Sequence, residues 1–246
     1  MYVYVCPILN GKSQELETDL QNLCNRETSE SKHTEARMNT WKKTGFSTFE
    51  TWIQNLEEKS YLISMLELEN WSLAMEKLEE RIADQDPYAL EIQKRYIDFC
   101  GIDFGKVAHE LDVELILDET FLQSDEKAKY RRAFAYPLMD GMDIVHKEFT
   151  NARKEGPLRK ELEKWMETFQ MKRHMKWIQR SPWGTFLTFY QEYNASEEEI
   201  IRDKDLCPSW STLHNALMEH TGLSTEQLMV NMHEVFAHPL LAPSTV

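Results

Sequence analysis

Glycine is scarce in this chain, with 8 among 246 residues, and none of them builds a loop whose backbone amides could cradle a phosphate. That argues against a nucleotide site. Cys6, Cys24, Cys100 and Cys207 lie far apart with no Cys-x-x-Cys pair. Neither a zinc cage nor a disulfide framework is expected from them, and a reducing cytoplasm fits. No apolar run approaches the ~20 residues that a spanning helix requires. Basic residues are outnumbered, 28 against 42 acidic ones, for a formal charge of −14. A negative far field repels nucleic-acid backbones and anionic membranes alike, so neither is expected as a partner. No serine sits in a Gly-x-Ser-x-Gly turn, which leaves nucleophilic catalysis little support.

What the chain does have is an ordinary globular composition, 41% apolar and 28% charged, without a low-complexity tract. Its opening residues, Met1 to Leu9, alternate like a strand and lack the basic start of a signal peptide, so they are expected to be mature structure. The length suits one large domain or two smaller ones.

Self-comparison decides between them. Val3-Tyr4-Val5-Cys6-Pro7-Ile8-Leu9-Asn10-Gly11 matches Ala133-Phe134-Ala135-Tyr136-Pro137-Leu138-Met139-Asp140-Gly141 at identical spacing. Trp52-Ile53-Gln54 recurs as Trp177-Ile178-Gln179, and fifteen residues after each Trp comes Glu67 or Glu192. Pro87 and Gly101 correspond to Pro208 and Gly222, fourteen residues apart in both copies, and Phe99 aligns with His220. The chain is therefore expected to be a tandem duplication, with a first unit over 1–122, a linker over 123–129 and a second unit over 130–246.

Within each copy the apolar periods give the order β-α-β-β-α-α-β. Strand 1 is read at Tyr2 to Pro7. Leu16, Leu20, Leu23 and Cys24 then mark a helical stripe. A hairpin follows near Phe46 to Asn55 and Ser60 to Glu69, and in copy two it turns through Arg180-Ser181-Pro182-Trp183-Gly184. Asn70, and a Ser196-Glu197-Glu198-Glu199 capping box, are placed to start the next helices. Another helix runs from Pro87 to Gly101, and from Pro208 to Gly222. Final strands are expected near Val113 to Asp118 and Leu228 to Phe236. The charged tracts Glu197 to Glu199 and Arg153 to Lys164 read as solvated helix faces without a function.

This order is the ferredoxin-like α+β arrangement, an antiparallel sheet with helices on one face. The chain resembles the dimeric α/β-barrel superfamily, to which antibiotic-biosynthesis monooxygenase-like and chlorite dismutase-like proteins belong. That resemblance implies a pseudo-dimeric α/β barrel within one polypeptide, existing as a monomer or as a homodimer. Each half further resembles a bacterial family of single-unit proteins with no assigned activity. Copy two carries that pattern as Tyr136-Pro137, Gly141, Trp177-Ile178-Gln179, Pro182, Gly184 and Tyr190-Gln191-Glu192. Copy one keeps Trp52-Ile53-Gln54 and Met65-Leu66-Glu67 but lacks the Pro-x-Gly turn.

A four-residue hairpin loop sets Gln54 beside Tyr61 and Trp52 beside Ile63. Trp52, Gln54, Tyr61, Met65 and Glu67 then share one sheet face, and Ile53, Leu62, Leu66 and Leu68 the other. In copy two the first face reads Trp177, Gln179, Phe186, Tyr190 and Glu192. Aromatic walls with one amide and one carboxylate have the composition of a small-molecule pocket. Partial burial would fit Glu67 and Glu192 for proton acceptance, with Gln54 and Gln179 holding a substrate carbonyl.

The first reading is thus a small organic ligand bound between two sheets, with cofactor-free oxygenase or isomerase chemistry. Whether the chain is an enzyme stays open, because the same face could instead fill a scaffold's own interface. Eight histidines show no metal-helix spacing, so no metal and no cofactor are expected. A third reading follows from the chlorite dismutase-like resemblance, with His220 binding haem iron.

Overall fold

A computed structural model describes the chain apart from residues 30, 57–58, 108–109, 122–127, 197–198, 200–207, 229–230 and 240–246. The first half runs β1 (Tyr2–Ile8), α1 (Ser13–Ser29), α2 (Ser31–Thr44), β2 (Thr48–Leu56), β3 (Lys59–Glu67), α3 (Trp71–Ala83), α4 (Pro87–Cys100), α5 (Phe104–Val107) and β4 (Asp112–Thr120). The second runs β5 (Tyr130–Pro137), α6 (Met142–Ala152), α7 (Gly156–Thr168), β6 (Met171–Ser181), β7 (Gly184–Tyr193), α8 (Pro208–Thr221), α9 (Thr225–Leu228) and β8 (Asn231–Pro239).

Two helices, not the single one expected, precede the hairpin in each half. The second helix of the first half, α2, is polar on most sides around the buried Trp41, so its apolar period is faint, whereas α7 buries Leu162, Trp165 and Met166 along one stripe of an otherwise charged segment. In copy two the break falls at Gly156, whose φ of 67° turns the chain between α6 and α7. The Ser196 capping box forms, Glu199 N–H donating to Ser196 Oγ at 3.2 Å and Ser196 N–H to Glu199 Oε2 at 2.6 Å. The helix expected after it, the thiol of Cys207 and most of the linker lie outside the described residues. Leu228 closes α9 rather than opening a strand, and β8 begins at Asn231.

The fold is α+β, a tandem duplication of a ferredoxin-like unit with two four-stranded antiparallel sheets. One sheet has the order β1-β3-β2-β8 and the other β4-β6-β7-β5. The last strand of each half is therefore exchanged: β8 pairs with β2, Gln54 opposite Met232, and β4 lies beside β6. One compact unit holds Met1–Asp112 with β8, and the other Val113–Val230. This corrects the division into 1–122 and 130–246, which left each final strand with its own half. Pairing with the exchanged strand closes the edge that β2 or β6 would otherwise expose, and an open edge invites aggregation.

The hairpin register is the one read from the sequence. Trp52 stands opposite Ile63 and Gln54 opposite Tyr61; Trp177 stands opposite Thr188 and Gln179 opposite Phe186. Alternation then sends Tyr4, Phe49 and Leu66 to the helix side of the first sheet. There Tyr4 meets the Trp71 ring edge-on at 5.5 Å, Trp41 meets Phe49, and the Tyr4 and Tyr96 hydroxyls lie 2.5 Å apart. Burial raises the pKa of both tyrosines, so the pair is a neutral hydrogen bond in a dry core. Leu16, Leu20 and Leu23 of α1 complete this side, each contributing about 1.5–3 kcal/mol by burial.

Helix ends carry the expected signals. Asn70 accepts from Leu73 N–H, and Asp86 accepts from the N–H groups of Tyr88 and Ala89. Gly101, at φ 68°, closes α4 in the left-handed region. Both copies also tie the end of their first strand to this helix, Leu9 N–H donating to Phe99 O and Met139 N–H to His220 O. The stop glycine packs on that tie. A Cβ on Gly222, which has φ 71°, would lie 3.2 Å from Met139 Sδ, and one on Gly101 would lie 3.2 Å from Leu9. Replacing Gly222 by Ala is expected to cost about 1–2 kcal/mol through backbone strain and this close approach, read as a lower urea midpoint at unchanged m-value.

Candidate functional site

In the second sheet the face turned away from the helices carries Met175, Trp177 and Gln179 from β6, with Phe186, Thr188, Tyr190 and Glu192 opposite them on β7. From β5 it receives Ala133 and Ala135, opposite Tyr190 and Thr188. All of these except Phe186 and Glu192 are at most 2% exposed, which decides that the face is interior rather than a wetted surface. The Trp177 indole N–H is buried there without a hydrogen-bond acceptor among the described residues. Tyr190 donates its hydroxyl proton to Glu192 Oε1 at 2.8 Å. Arg173, across from Glu192, is bidentate with Asp118 on β4, and both Asp118 and Glu192 favour its charged form.

Trp177, Gln179, Tyr190 and Glu192 thus share one face of the sheet, with Gln179 opposite Phe186 and Glu192 further along β7 opposite Arg173. The first sheet does the same for Trp52, Gln54 and Tyr61, all buried. Burial raises the pKa of Tyr61, keeping its hydroxyl a hydrogen-bond donor.

Glu67 differs. It lies on the same side by register but at the exposed end of β3, where it accepts from Thr48 Oγ1 at 3.0 Å. It borders an open cleft of about 640 Å³ with Ser47, Asn70 and Lys77 rather than the aromatic face. The partial burial expected of it is therefore absent, because the sheet ends one residue beyond Leu66. Arg173 escaped the sequence reading. Its opposition to Glu192 follows from the hairpin register and could have been found by extending the pairing two steps.

His220 is buried and shares its Nδ1 with Nδ1 of His146 at 2.9 Å. Among the described residues no group of three or more His, Cys, Asp or Glu is placed to hold a metal ion. No helix among them is long and apolar enough to cross a membrane.

No protein-family model and no curated protein sequence matches the chain. Among solved structures it is similar to two proteins provisionally described as monooxygenases. The one from Fusobacterium nucleatum subsp. nucleatum has TM-score 0.44 and 7% identity over 97% of this chain and 90% of the other. The one from Lactobacillus acidophilus has TM-score 0.43 and 10% identity over 97% and 96%. An anthrone oxidase-like protein has TM-score 0.44 and 10% identity over 95% and 93%. A likeness this distant says nothing of activity or ligand.

Proposed function

We propose that the second unit binds a small organic molecule over the helix-free face of its sheet, with Trp177 and Gln179 meeting a ligand oxygen and Glu192 accepting a proton through Tyr190. The observation that carries this reading is the Trp177 N–H, buried with no acceptor among the described residues. Leaving such a donor unmade costs about 1–3 kcal/mol, which a ligand carbonyl would recover. With that oxygen held, removal of a neighbouring proton by the Tyr190–Glu192 pair yields an enolate. Return of the proton to another carbon is isomerisation, and reaction of the enolate with dioxygen is cofactor-free oxygenation. Trp52, Gln54 and Tyr61 give the first sheet a similar binding face, but its carboxylate, Glu67, stands in solvent. The reaction is therefore assigned to the second half.

Native mass spectrometry of freshly purified protein tests this. A retained small molecule is expected, held about five- to tenfold more weakly in Trp177→Phe, which keeps an aromatic ring and loses one hydrogen bond. Glu192→Gln should retain it and lose about a hundredfold in turnover. A wild-type protein that carries nothing, together with a Trp177→Phe variant that is simply more stable, would refute the reading.

A further inference from the structure

The two copies differ most on the side of the sheet that faces the helices. The matches at Gly11/Gly141 and Trp52/Trp177 set Leu16, Leu20, Leu23, Phe49, Thr51 and Leu66 of copy one against His146, Thr150, Arg153, His174, Lys176 and Gln191 of copy two. Burial is kept or deepened by the exchange, since Phe49 is half-buried where His174 is 1% exposed. The three leucines are 0–2% exposed, and His146, Thr150 and Arg153 are 0–3% exposed. Phe99 against His220 extends the pattern. The fold does not require these polar groups, since copy one packs the same positions mainly with hydrocarbon. Burying an ammonium group and unmatched donors costs several kcal/mol.

The groups converge. His174 and Lys176 lie on one face of β6 and flank Phe189 of β7, with the Lys176 Nζ 5.3 Å and the His174 ring 6.0 Å from its ring. Phe189 is stacked on Phe134 at 4.6 Å, which fixes it as a floor. Arg132 donates to Gln191 Oε1 at 2.7 Å, so the Gln191 amide must turn its NH₂ to His174 Nδ1, 3.1 Å away. That makes His174 Nδ1 the acceptor and leaves the proton of the neutral ring on Nε2. Nε2 is buried with no partner among the described residues, and so are Thr150 Oγ1 and His146 Nε2. Burial, then the charges of Lys176, Arg153 and either Arg132 or His220, lower the pKa values of His174 and His146. Burial and Arg153 likewise lower that of Lys176. Among the described residues, the charged neighbours acting on these three groups are all bases.

Donors aimed inward, surrounded by bases, describe the lining of an anion site. We infer that the helix side of the second unit holds a compact monovalent anion, of the size of chloride, nitrate or formate, between Lys176, His174 and Thr150 under the charge of Arg153. It returns Lys176 to its ammonium form, so one proton is taken up with the anion. The site is independent of the Trp177 reading, because His174 and Lys176 alternate with Met175 and Trp177 and point to the opposite face.

Thermal unfolding of the full chain in the sodium salts of chloride, nitrate or formate tests it. The reference is the bulky anion 2-(N-morpholino)ethanesulfonate at equal ionic strength. At least one small anion is expected to raise the midpoint by several degrees in a saturable manner. Lys176→Met and His174→Phe should each weaken its apparent affinity at least tenfold, whereas Thr51→Val in copy one leaves it unchanged. Should either core variant not fold, ¹⁵N NMR of the wild-type imidazoles replaces it, with a small-anion-specific shift expected at His174 Nε2. Coincident midpoints in all four salts, a rise that persists in both variants, or an unmoved His174 signal would each overturn the assignment.

Discussion

Between pH 6.5 and 4.5 the second unit is expected to lose about 3 kcal/mol of stability through His146 alone. In the unfolded chain this imidazole takes a proton below its ordinary value of 6.5, whereas in the fold burial, with Lys176, His220 and Arg153 nearby, holds it neutral down to about 2. The unfolded state therefore binds more protons across that interval. Stability is full above pH 6.5 and falls with acid by about 1.4 kcal/mol per pH unit. His174, pushed down by burial and by Lys176, Arg153 and Arg132, acts in the same direction. Glu91, Asp103 and Glu114, held below their ordinary values by Arg26, Lys106 and Lys147 as leading partners, keep their contributions until the pH drops below about 4.5. The histidines therefore dominate the upper window. Urea melts at pH 7.5, 6 and 5 check this, and His146→Leu, the residue of copy one, should flatten the slope by about 1.4 kcal/mol per unit. A slope unchanged by that substitution would be evidence against a neutral, buried His146.

The second large effect runs against the usual sense of a core substitution. Lys176→Met is expected to stabilise the protein by about 1–4 kcal/mol in a buffer of bulky anions near pH 8. Lys176 is fully enclosed, its pKa is lowered by burial and then by Arg153, and its Nζ faces the Phe189 ring. Folding without an anion strips the ammonium of water or of its proton. Methionine keeps the length of the stem and removes that cost. A raised urea midpoint is the expected reading; a fall of more than about 1 kcal/mol would mean that Lys176 is fully compensated in the fold.

The parts that could be read from the sequence are those set by short periods. Period two placed Trp52 against Ile63 and Trp177 on the face of Gln179, and proline with glycine marked the ends of α4 and α8. The exchange of β4 and β8 could not be read this way. Which edge a final strand joins is a long-range choice that its local pattern does not encode. The second helix α2 is hidden by a polar surface around the buried Trp41, and the stripe Leu162, Trp165 and Met166 of α7 is hidden by the charged residues that surround it. The cluster on the second sheet was missed for a different reason. Arg153 reads, with the tract up to Lys164, as a solvated surface, although it occupies the position of Leu23. His220 against Phe99 is one visible sign of this exchange. Extending that comparison along α6 and β6 exposes the replacement of Leu16, Leu20 and Phe49 by His146, Thr150 and His174.

The claim on which most depends is that copy two has turned an apolar core into a neutral, inward-facing donor set. Two-dimensional ¹⁵N NMR of the imidazole nitrogens, in a buffer of bulky anions, tests it most directly. The account predicts His174 neutral through the range in which an ordinary imidazole titrates, with its proton on Nε2, because Arg132 and Gln191 commit Nδ1 as the acceptor. A His174 that carries its proton on Nδ1, or that titrates near pH 6.5, would contradict it.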